Sequence, residues 1–221
     1  GSTVRSNLLV LAALSVAGSA AAQTGVPAAK TGLSLTPYLG VLVPTADLLS
    51  FQNGTATEVT KVSIGFVVGG RLGIGLGRRV ALEGDVGYSP GSLDISSNSG
   101  TNSTAFNQDV TTLTGSGKIT LYLIPRTSPF WIGINGGAGA VRHKLKAGGA
   151  AEQAGLKGGT DVGGVVGALA GIRLGRIIAV NVGVEDYLYT AAFDLNNTTV
   201  SEKKQHDVRF TAGVHFPFIG F

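Results

Sequence analysis

The chain contains no cysteine and no methionine, and only 14% of its 221 residues are charged. Without cysteine, a disulfide framework, a thiolate metal site and a thiol nucleophile are all excluded. The net charge of +4 is too small to indicate a nucleic-acid partner. Neither G-x-G-x-x-G nor G-x-x-x-x-G-K-[ST] occurs, so the sequence does not predict a nucleotide site or any other cofactor site.

Glycine is abundant instead, with 35 residues, and many of these glycines fall within an alternating pattern. Residues 62–88 carry large apolar side chains at even positions, such as Phe66, Leu72 and Ile74, and glycine, serine or charge at most odd positions. Successive side chains of a strand point to opposite faces, so the pattern predicts a long β-hairpin with one apolar face. Strands of about ten residues or more, with apolar residues outside and small or ionisable residues inside, are typical of a membrane-spanning barrel.

The alternation recurs along the chain and predicts eight strands. They lie at residues 33–43, 62–76, 80–88, 110–123, 130–141, 161–174, 177–189 and 206–218. Long polar connections (44–60, 89–109, 143–160 and 190–205) alternate with short turns, as in outer-membrane barrels. We therefore predict an all-β fold, an eight-stranded antiparallel up-and-down transmembrane β-barrel, in which closure pairs every backbone group of the wall.

The N-terminal residues have the order of regions found in a secretory signal peptide. Arg5 precedes an apolar run at residues 8–17, and three alanines at 20–22 provide a cleavage site before Gln23. The apolar run is too short to span a bilayer. We predict that residues 1–22 are a cleaved signal peptide and that residues 23–32 are a periplasmic linker.

The last predicted strand ends with Thr-Ala-Gly-Val-His-Phe-Pro-Phe at residues 211–218. This segment is similar to the C-terminal assembly signal of the small bacterial outer-membrane β-barrel superfamily, of the OmpA transmembrane-domain and OmpX type. The resemblance covers residues 33–218 and implies an outer-membrane location with both termini periplasmic. It also implies that the barrel-assembly machinery reads Gly213, Phe216 and a terminal aromatic residue. Residues 219–221 form a short tail, so Phe218 and Phe221 both remain candidates for that aromatic.

Ionisable residues of both signs share the predicted inner face: Arg71, Glu83, Asp85, Lys118, Arg173, Glu185 and Arg209. A three-residue turn at 77–79 would place Arg71 opposite Asp85 and diagonal to Glu83. Because buried charges need partners, this set predicts a salt-bridged plug that closes the lumen. A narrow water-filled channel lined by the same residues is the alternative. We favour the plug because eight strands leave room for little beyond side chains.

Two further functional classes remain as alternatives. Some small barrels of the superfamily are lipid A-modifying enzymes, and His206, Asp207 and Ser201 are the residues near the outer rim that would serve this chemistry. A soluble lipocalin-like carrier would instead place the apolar residues inside the barrel. No two of the histidines, His143, His206 and His215, have the i, i+4 spacing of a metal-binding pair, so a metal site is not predicted. The sequence favours a structural or surface-interaction protein over an enzyme.

The predicted connection around residues 142–157 is basic. It carries Arg142, Lys144, Lys146 and Lys157 against Glu152 alone. In the outer leaflet these residues would meet lipopolysaccharide phosphates, which Lys and Arg bind through charge-assisted hydrogen bonds. A solvated basic loop without a partner is the alternative. The sequence does not indicate a specific ligand or an oligomeric state, and a monomer is favoured.

Overall fold

The computed structural model describes residues 32–45, 49–53, 56–99, 102–145, 156–157, 159–175, 177–195 and 198–219. In these residues there are eleven β-strands and no helix. The strands are β1 (Gly32–Pro44), β2 (Leu49–Asn53), β3 (Ala56–Val62), β4 (Gly65–Gly75), β5 (Val80–Ser99), β6 (Asn102–Ile124), β7 (Phe130–Leu145), β8 (Leu156–Lys157), β9 (Thr160–Arg173), β10 (Ala179–Leu195) and β11 (Thr198–Ile219). The predicted signal peptide at 1–22 and residues 23–31 of the predicted linker lie outside the described residues.

Eight of these strands close into a barrel. β1 pairs antiparallel with β4 on one side and with β11 on the other, and antiparallel pairing continues through β5, β6, β7, β9 and β10. The remaining strands add to the barrel wall, because the β2–β3 hairpin pairs with β5 and β8 pairs with β10. Closure leaves the barrel without a free edge. The predicted eight-stranded antiparallel barrel is therefore confirmed.

The strand alternation gives the wall an apolar outer face and a polar inner face. The outer face is a ring of exposed large apolar residues, called here the apolar belt: Leu39, Phe66, Leu72, Val86, Ile119, Ile134, Val166, Val182 and Phe210 among others. The inner face carries buried charged and hydroxyl side chains. A soluble ligand carrier would need the reverse arrangement, with apolar side chains around its cavity. The lipocalin-like alternative is therefore wrong.

Three short turns lie at one end of the barrel, which we call the turn end: residues 76–79, 125–129 and 174–178. In the first turn, Gly77 has a φ of 112°, a conformation that glycine adopts without steric cost. This turn sets the β4–β5 register and places Arg71 opposite Asp85, as the sequence predicted. β1 begins and β11 ends at the turn end, because Leu33 pairs with both Ile74 and Ile219. The opposite end is the loop end.

The strands continue further toward the loop end than the sequence predicted. Residues 89–109 were expected to be a loop, yet β5 reaches Ser99 and β6 begins at Asn102. Likewise β10 and β11 extend through most of the predicted loop at 190–205, and β2 and β3 occupy much of 44–60. The loop prediction relied on composition, because residues 89–109 are rich in Ser, Asn, Thr and Gly. Backbone hydrogen bonds between paired strands do not depend on that composition, so the hairpins continue.

Candidate functional site in the barrel interior

Six ionisable residues from five strands meet in the middle of the barrel. Arg71 lies on β4, Glu83 and Asp85 on β5, Lys118 on β6, Glu185 on β10 and Arg209 on β11. All six occupy inward positions of their strands, and none is more than 9% exposed. We call these six residues the central charge network. Their convergence follows from strand register, which pairs Arg71 with Asp85, Glu83 with Lys118 and Glu185 with Arg209.

Glu185 lies at the centre of this network. Its Oε1 atom is 3.0 Å from Nη2 of Arg71 and also accepts a hydrogen bond from Nζ of Lys118. Its Oε2 atom accepts from Nη2 of Arg209, and Nδ2 of Asn135 donates to Oε1 at 3.2 Å. A single carboxylate thus contacts all three cations of the network. Charge-assisted hydrogen bonds of this kind are stronger than neutral ones.

Asp85 is the second acidic centre. Its Oδ1 atom is 2.7 Å from Nη2 of Arg209, and its Oδ2 atom is 3.4 Å from Nε of Arg71 and 3.8 Å from Nζ of Lys118. The hydroxyl of Tyr38 also donates to Oδ1 at 3.1 Å. Asp85 and Glu185 therefore share the same three cations, which links opposite walls of the barrel through side chains.

Two tyrosines enclose the guanidinium of Arg209. Its Cζ atom lies 5.1 Å from the ring centroid of Tyr38 and 5.1 Å from that of Tyr187, within the range of cation–π attraction. Nη1 of Arg209 donates to the Tyr38 hydroxyl at 2.8 Å and to Oγ1 of Thr114 at 3.1 Å. The guanidinium of Arg209 is thus both hydrogen-bonded and covered by aromatic rings.

Glu83 is more loosely attached to the network. Its only cation within 4.0 Å, among the described residues, is Arg71 at 3.9 Å. Hydroxyl groups supply its closer contacts, with Thr120 donating at 2.8 Å and Tyr122 at 3.3 Å. Glu83 therefore extends the polar layer from the central charge network toward the turn end.

The central charge network is balanced, with three cations and three carboxylates. Opposite charges in a low-dielectric interior attract each other strongly, and mutual hydrogen bonding offsets the cost of removing them from water. The side chains of the central charge network thus form one contacting layer across the lumen.

Arg173 lies apart from this layer, although its position on β9 is on the inner side. It pairs with Ala179 in the sheet, six residues from Glu185 along β10, which corresponds to about 20 Å. Its Nη2 atom donates to the carbonyl of Arg126 at 2.7 Å, at the turn end. Strand register, which alternation alone does not give, accounts for this separation.

Several further residues of the barrel interior were not singled out from the sequence. Tyr38 and Tyr187 occupy inward positions of β1 and β10, so alternation could have identified them. Arg126 could not be found in this way, because it lies in the turn at residues 125–129. Its side chain nevertheless folds back into the barrel, where Nη2 is 2.9 Å from Nε2 of His215 and its guanidinium lies over Tyr122 at 5.2 Å.

The predicted assembly signal lies on β11 at the turn end. A Cβ atom on Gly213 would lie 2.9 Å from the Pro37 carbonyl and 2.9 Å from Oδ1 of Asn181, so the close approach of these strands favours glycine. Phe216 is on the outer face and pairs with Leu35. Phe218 belongs to the same strand, and Phe221 lies outside the described residues.

The predicted basic connection is only partly described. Arg142 and Lys144 are exposed on the outer face of β7 at the loop end, where they follow the last apolar positions of that strand. Lys157 belongs to the short strand β8, and Lys146 lies outside the described residues. Two of the four basic residues thus stand on one face, two positions apart.

Of the three residues considered for enzymatic chemistry, His206 and Asp207 lie on opposite faces of β11, and the side chain of Ser201 lies outside the described part of the structure. His206 points outward and is exposed, whereas the adjacent Asp207 points inward and is buried. Nδ1 of His206 is instead 3.2 Å from Oδ2 of Asp186. In the described part of the chain, no cluster of three His, Cys, Asp or Glu residues could hold a metal ion. The described residues also contain no helix long and apolar enough to cross a membrane.

Comparison with known proteins agrees with this architecture. A family model described as outer membrane protein beta-barrel domain matches residues 8–216. The solid-state NMR structure of the outer membrane protein AlkL is similar in fold, with 13% identity, coverage of 88% of this chain and 93% of that chain, and a TM-score of 0.56. The E. coli outer membrane protein W has 16% identity, covers 86% of this chain and 99% of its own, and has a TM-score of 0.49. No curated protein matches the chain at a significant level.

Proposed function

The chain belongs to the outer membrane protein beta-barrel domain family, and we propose that this member is a closed barrel with a structural or surface-interaction role. The single observation that carries the proposal is the central charge network, in which three cations and three carboxylates contact one another across the lumen. A water-filled channel would instead keep such charges hydrated and separate. The channel alternative gains no specific support from this geometry.

We further propose that both chain termini are periplasmic and that the loop end faces outward. The ends of β1 and β11 lie together at the turn end, beside the three short turns. Short turns are periplasmic in outer-membrane barrels of known orientation. A signal peptide at residues 1–22 and a linker after it are consistent with this orientation. Surface labelling of a cysteine introduced at Lys144, with one at Arg78 as the turn-end control, tests it in intact cells.

The barrel-assembly machinery is the proposed partner during insertion, acting on β11. Gly213, Phe216 and one of Phe218 and Phe221 are the residues proposed for this recognition. β11 forms the closing pair with β1, so it is the strand whose pairing completes the barrel. Phe216 on the outer face and Gly213 at a close strand approach fit this role.

Lipopolysaccharide is the proposed partner at the surface. Arg142 and Lys144 are exposed on the outer face of β7, beyond its last apolar positions, which supports this proposal, and Lys146 and Lys157 would extend the basic patch. Changing Arg142 and Lys144 together to glutamine should weaken lipopolysaccharide binding by roughly 1 kcal/mol per charge at low salt. Added salt should reduce the difference from wild type, because it screens exposed charges. Equal binding by wild type and variant at low salt would contradict this partner.

A swelling assay on proteoliposomes tests closure directly. Vesicles that contain the wild-type barrel should exclude small sugars as well as protein-free vesicles do, since the central charge network crosses the lumen. A functional porin in parallel vesicles provides the positive control. Swelling rates that fall with increasing sugar size would show a pore and would refute the proposed closure.

A further inference from the structure

The turn end of the barrel carries charge of one sign. The segments 74–81, 121–132 and 172–181, which contain the three short turns, include no aspartate or glutamate. Their charged residues are all arginines: Arg78, Arg79, Arg126, Arg173 and Arg176. The central charge network is balanced within itself, so the turn end keeps a surplus of positive charge.

Arg78 and Arg79 present this charge to the outside. The side chain of Arg126 instead folds into the barrel, and Arg173 contacts the Arg126 carbonyl there, whereas Arg78 and Arg79 are exposed on the first turn. The Arg78 carbonyl accepts a hydrogen bond from the backbone N–H of Arg126 at 3.3 Å. The Arg79 carbonyl accepts from the backbone N–H of Tyr122 at 2.7 Å. The first turn is therefore fixed to the end of β6 and to the turn that follows it.

A β-bulge holds Arg79 against the outer wall. The register of β6 with β7 shifts between Tyr122 and Ile124, which places Leu123 in the bulge. Nη1 of Arg79 donates to the Leu123 carbonyl at 2.9 Å, and the Leu123 side chain is exposed as part of the apolar belt. One guanidinium group thus lies directly beside an apolar side chain of the outer face.

The second guanidinium group lies at the neighbouring turn. Nη2 of Arg78 is 3.4 Å from Oγ1 of Thr127, which is itself exposed. A guanidinium group carries five N–H donors in a planar fork that matches a phosphate, so these hydrogen bonds leave donors for a ligand on both arginines. Leu76, another exposed apolar residue, precedes the pair in the same turn. The apolar belt therefore ends where the paired arginines begin, as expected at the boundary between acyl chains and headgroups.

We propose that Arg78 and Arg79, with the Thr127 hydroxyl, bind the phosphate of an anionic phospholipid in the leaflet at the turn end. Its acyl chains lie along the outer wall beside Leu76 and Leu123. A zwitterionic lipid also carries an ammonium group, for which the three turn segments provide no carboxylate. The patch therefore selects a headgroup of net negative charge, such as phosphatidylglycerol. This site lies at the opposite end of the barrel from the basic patch proposed to bind lipopolysaccharide.

Charge favours a lipid over a second copy of the chain at this patch. Two barrels in one membrane lie at the same depth, and a two-fold interface brings identical patches together. An interface through this patch would place Arg78 and Arg79 close to the same residues of the other copy. A lipid phosphate supplies the opposite charge at this level instead.

Site-specific fluorescence quenching tests the proposal, because the chain has no cysteine of its own. A bimane label on Leu123→Cys reports the lipids beside Arg79, and the backbone carbonyl that Arg79 contacts is retained. Val86→Cys, on the exposed outer face of β5, is the reference position away from the patch. The barrel is reconstituted in mixtures of phosphatidylethanolamine and phosphatidylglycerol in which only one lipid has brominated, quenching acyl chains. The ratio of phosphatidylglycerol to phosphatidylethanolamine should be about fivefold higher at Leu123→Cys than at Val86→Cys.

Two charge variants separate this patch from a general effect of basic residues. Arg78→Gln/Arg79→Gln should abolish the enrichment at Leu123→Cys, whereas Arg142→Gln/Lys144→Gln, which removes the same charge at the loop end, should leave it unchanged. Arg78→Lys/Arg79→Lys keeps the charge and should retain part of the enrichment. Added salt should lower the enrichment in the wild-type background, because the patch is exposed.

Equal lipid ratios at Leu123→Cys and Val86→Cys would overturn the proposal, and this comparison requires no charge variant to fold. Equal losses of enrichment in the turn-end and loop-end Gln variants would overturn the assignment to Arg78 and Arg79, with folding checked by heat-dependent gel mobility. The label reads the wall beside Arg79 whichever way the barrel is oriented and whether or not its lumen conducts. A negative result would therefore leave the proposed closure and orientation standing.

Discussion

Replacement of Glu185 by glutamine unbalances the central charge network while preserving the size and shape of the side chain. Glu185 contacts Arg71, Lys118 and Arg209, so the change leaves these three cations with two carboxylates. The amide can still accept one hydrogen bond at its oxygen, but its NH₂ group would face at least one cation. We therefore expect Glu185→Gln to be among the most destabilising single changes in the barrel interior.

The loss of stability expected for Glu185→Gln follows from the burial of Glu185 and its cationic partners. Removing one partner of a buried ion pair costs about 3–5 kcal/mol, because the remaining charge stays out of water without compensation. Glu185 is 1% exposed, and all three of its cationic partners are also buried, so its loss should fall within this range. Glu83→Gln is the matched control. Among the described residues, Glu83 has a single cation within 4.0 Å, Arg71 at 3.9 Å, and it keeps hydroxyl donors, so we expect a loss of about 1–2 kcal/mol.

Urea unfolding of the refolded barrel in lipid vesicles measures both free energies of unfolding. A double variant, Glu185→Gln/Lys118→Met, sharpens the test, since it restores a network of two cations and two carboxylates. It should recover part of the stability lost in Glu185→Gln, which a double-mutant cycle would report as a coupling energy. Equal losses in Glu185→Gln and Glu83→Gln, without recovery in the double variant, would refute the reasoning from charge balance.

Three further perturbations test the wall and its assembly. Phe66→Arg places a charge on the apolar belt and should cost about 2–4 kcal/mol in the same urea assay, whereas no loss would argue against burial of this face in lipid. Gly40→Ala should destabilise the barrel by about 1–3 kcal/mol, because the added Cβ would lie 1.8 Å from the Phe210 carbonyl oxygen. Gly117→Ala is the control and should be close to neutral, because a Cβ on Gly117 would meet no atom within 4 Å. Phe216→Ala should reduce outer-membrane levels in cells more than it reduces refolding yield in vitro, and parallel losses in both would contradict a role in assembly.

Much of the barrel could be predicted from the sequence because inward and outward side chains alternate along the strands of its wall. Alternation over β4 and β5 identified the outward Phe66 and Leu72 and the inward Arg71 and Asp85, and the three-residue turn at 77–79 gave their register. The strand ends toward the loop end could not be predicted in the same way. Residues 89–109 are rich in Ser, Asn and Thr, so their composition predicted a loop, although backbone pairing keeps residues such as Ser99 in the sheet.

The composition of the central charge network depends on information that one strand does not contain. Alternation places Glu185 and Arg209 on the inner face, but only the register of β10 with β11 brings them together, while Arg173 lies about 20 Å away along the wall. Arg126 lies in a turn, where alternation has no meaning, and its reach into the barrel depends on the length of its side chain. Local sequence patterns thus predict which face a residue occupies, and pairing between distant strands determines its neighbours.

Single-channel recording in a planar bilayer tests the central claim, closure of the lumen, most directly. The wild-type barrel should show no steady conductance at either polarity, because the contacts of Glu185 and Asp85 with Arg71, Lys118 and Arg209 cross the lumen. Glu185→Gln should show intermittent openings as this layer loosens. A steady wild-type conductance, whose ion selectivity changes when Arg71 or Lys118 is neutralised without loss of stability, would contradict the account.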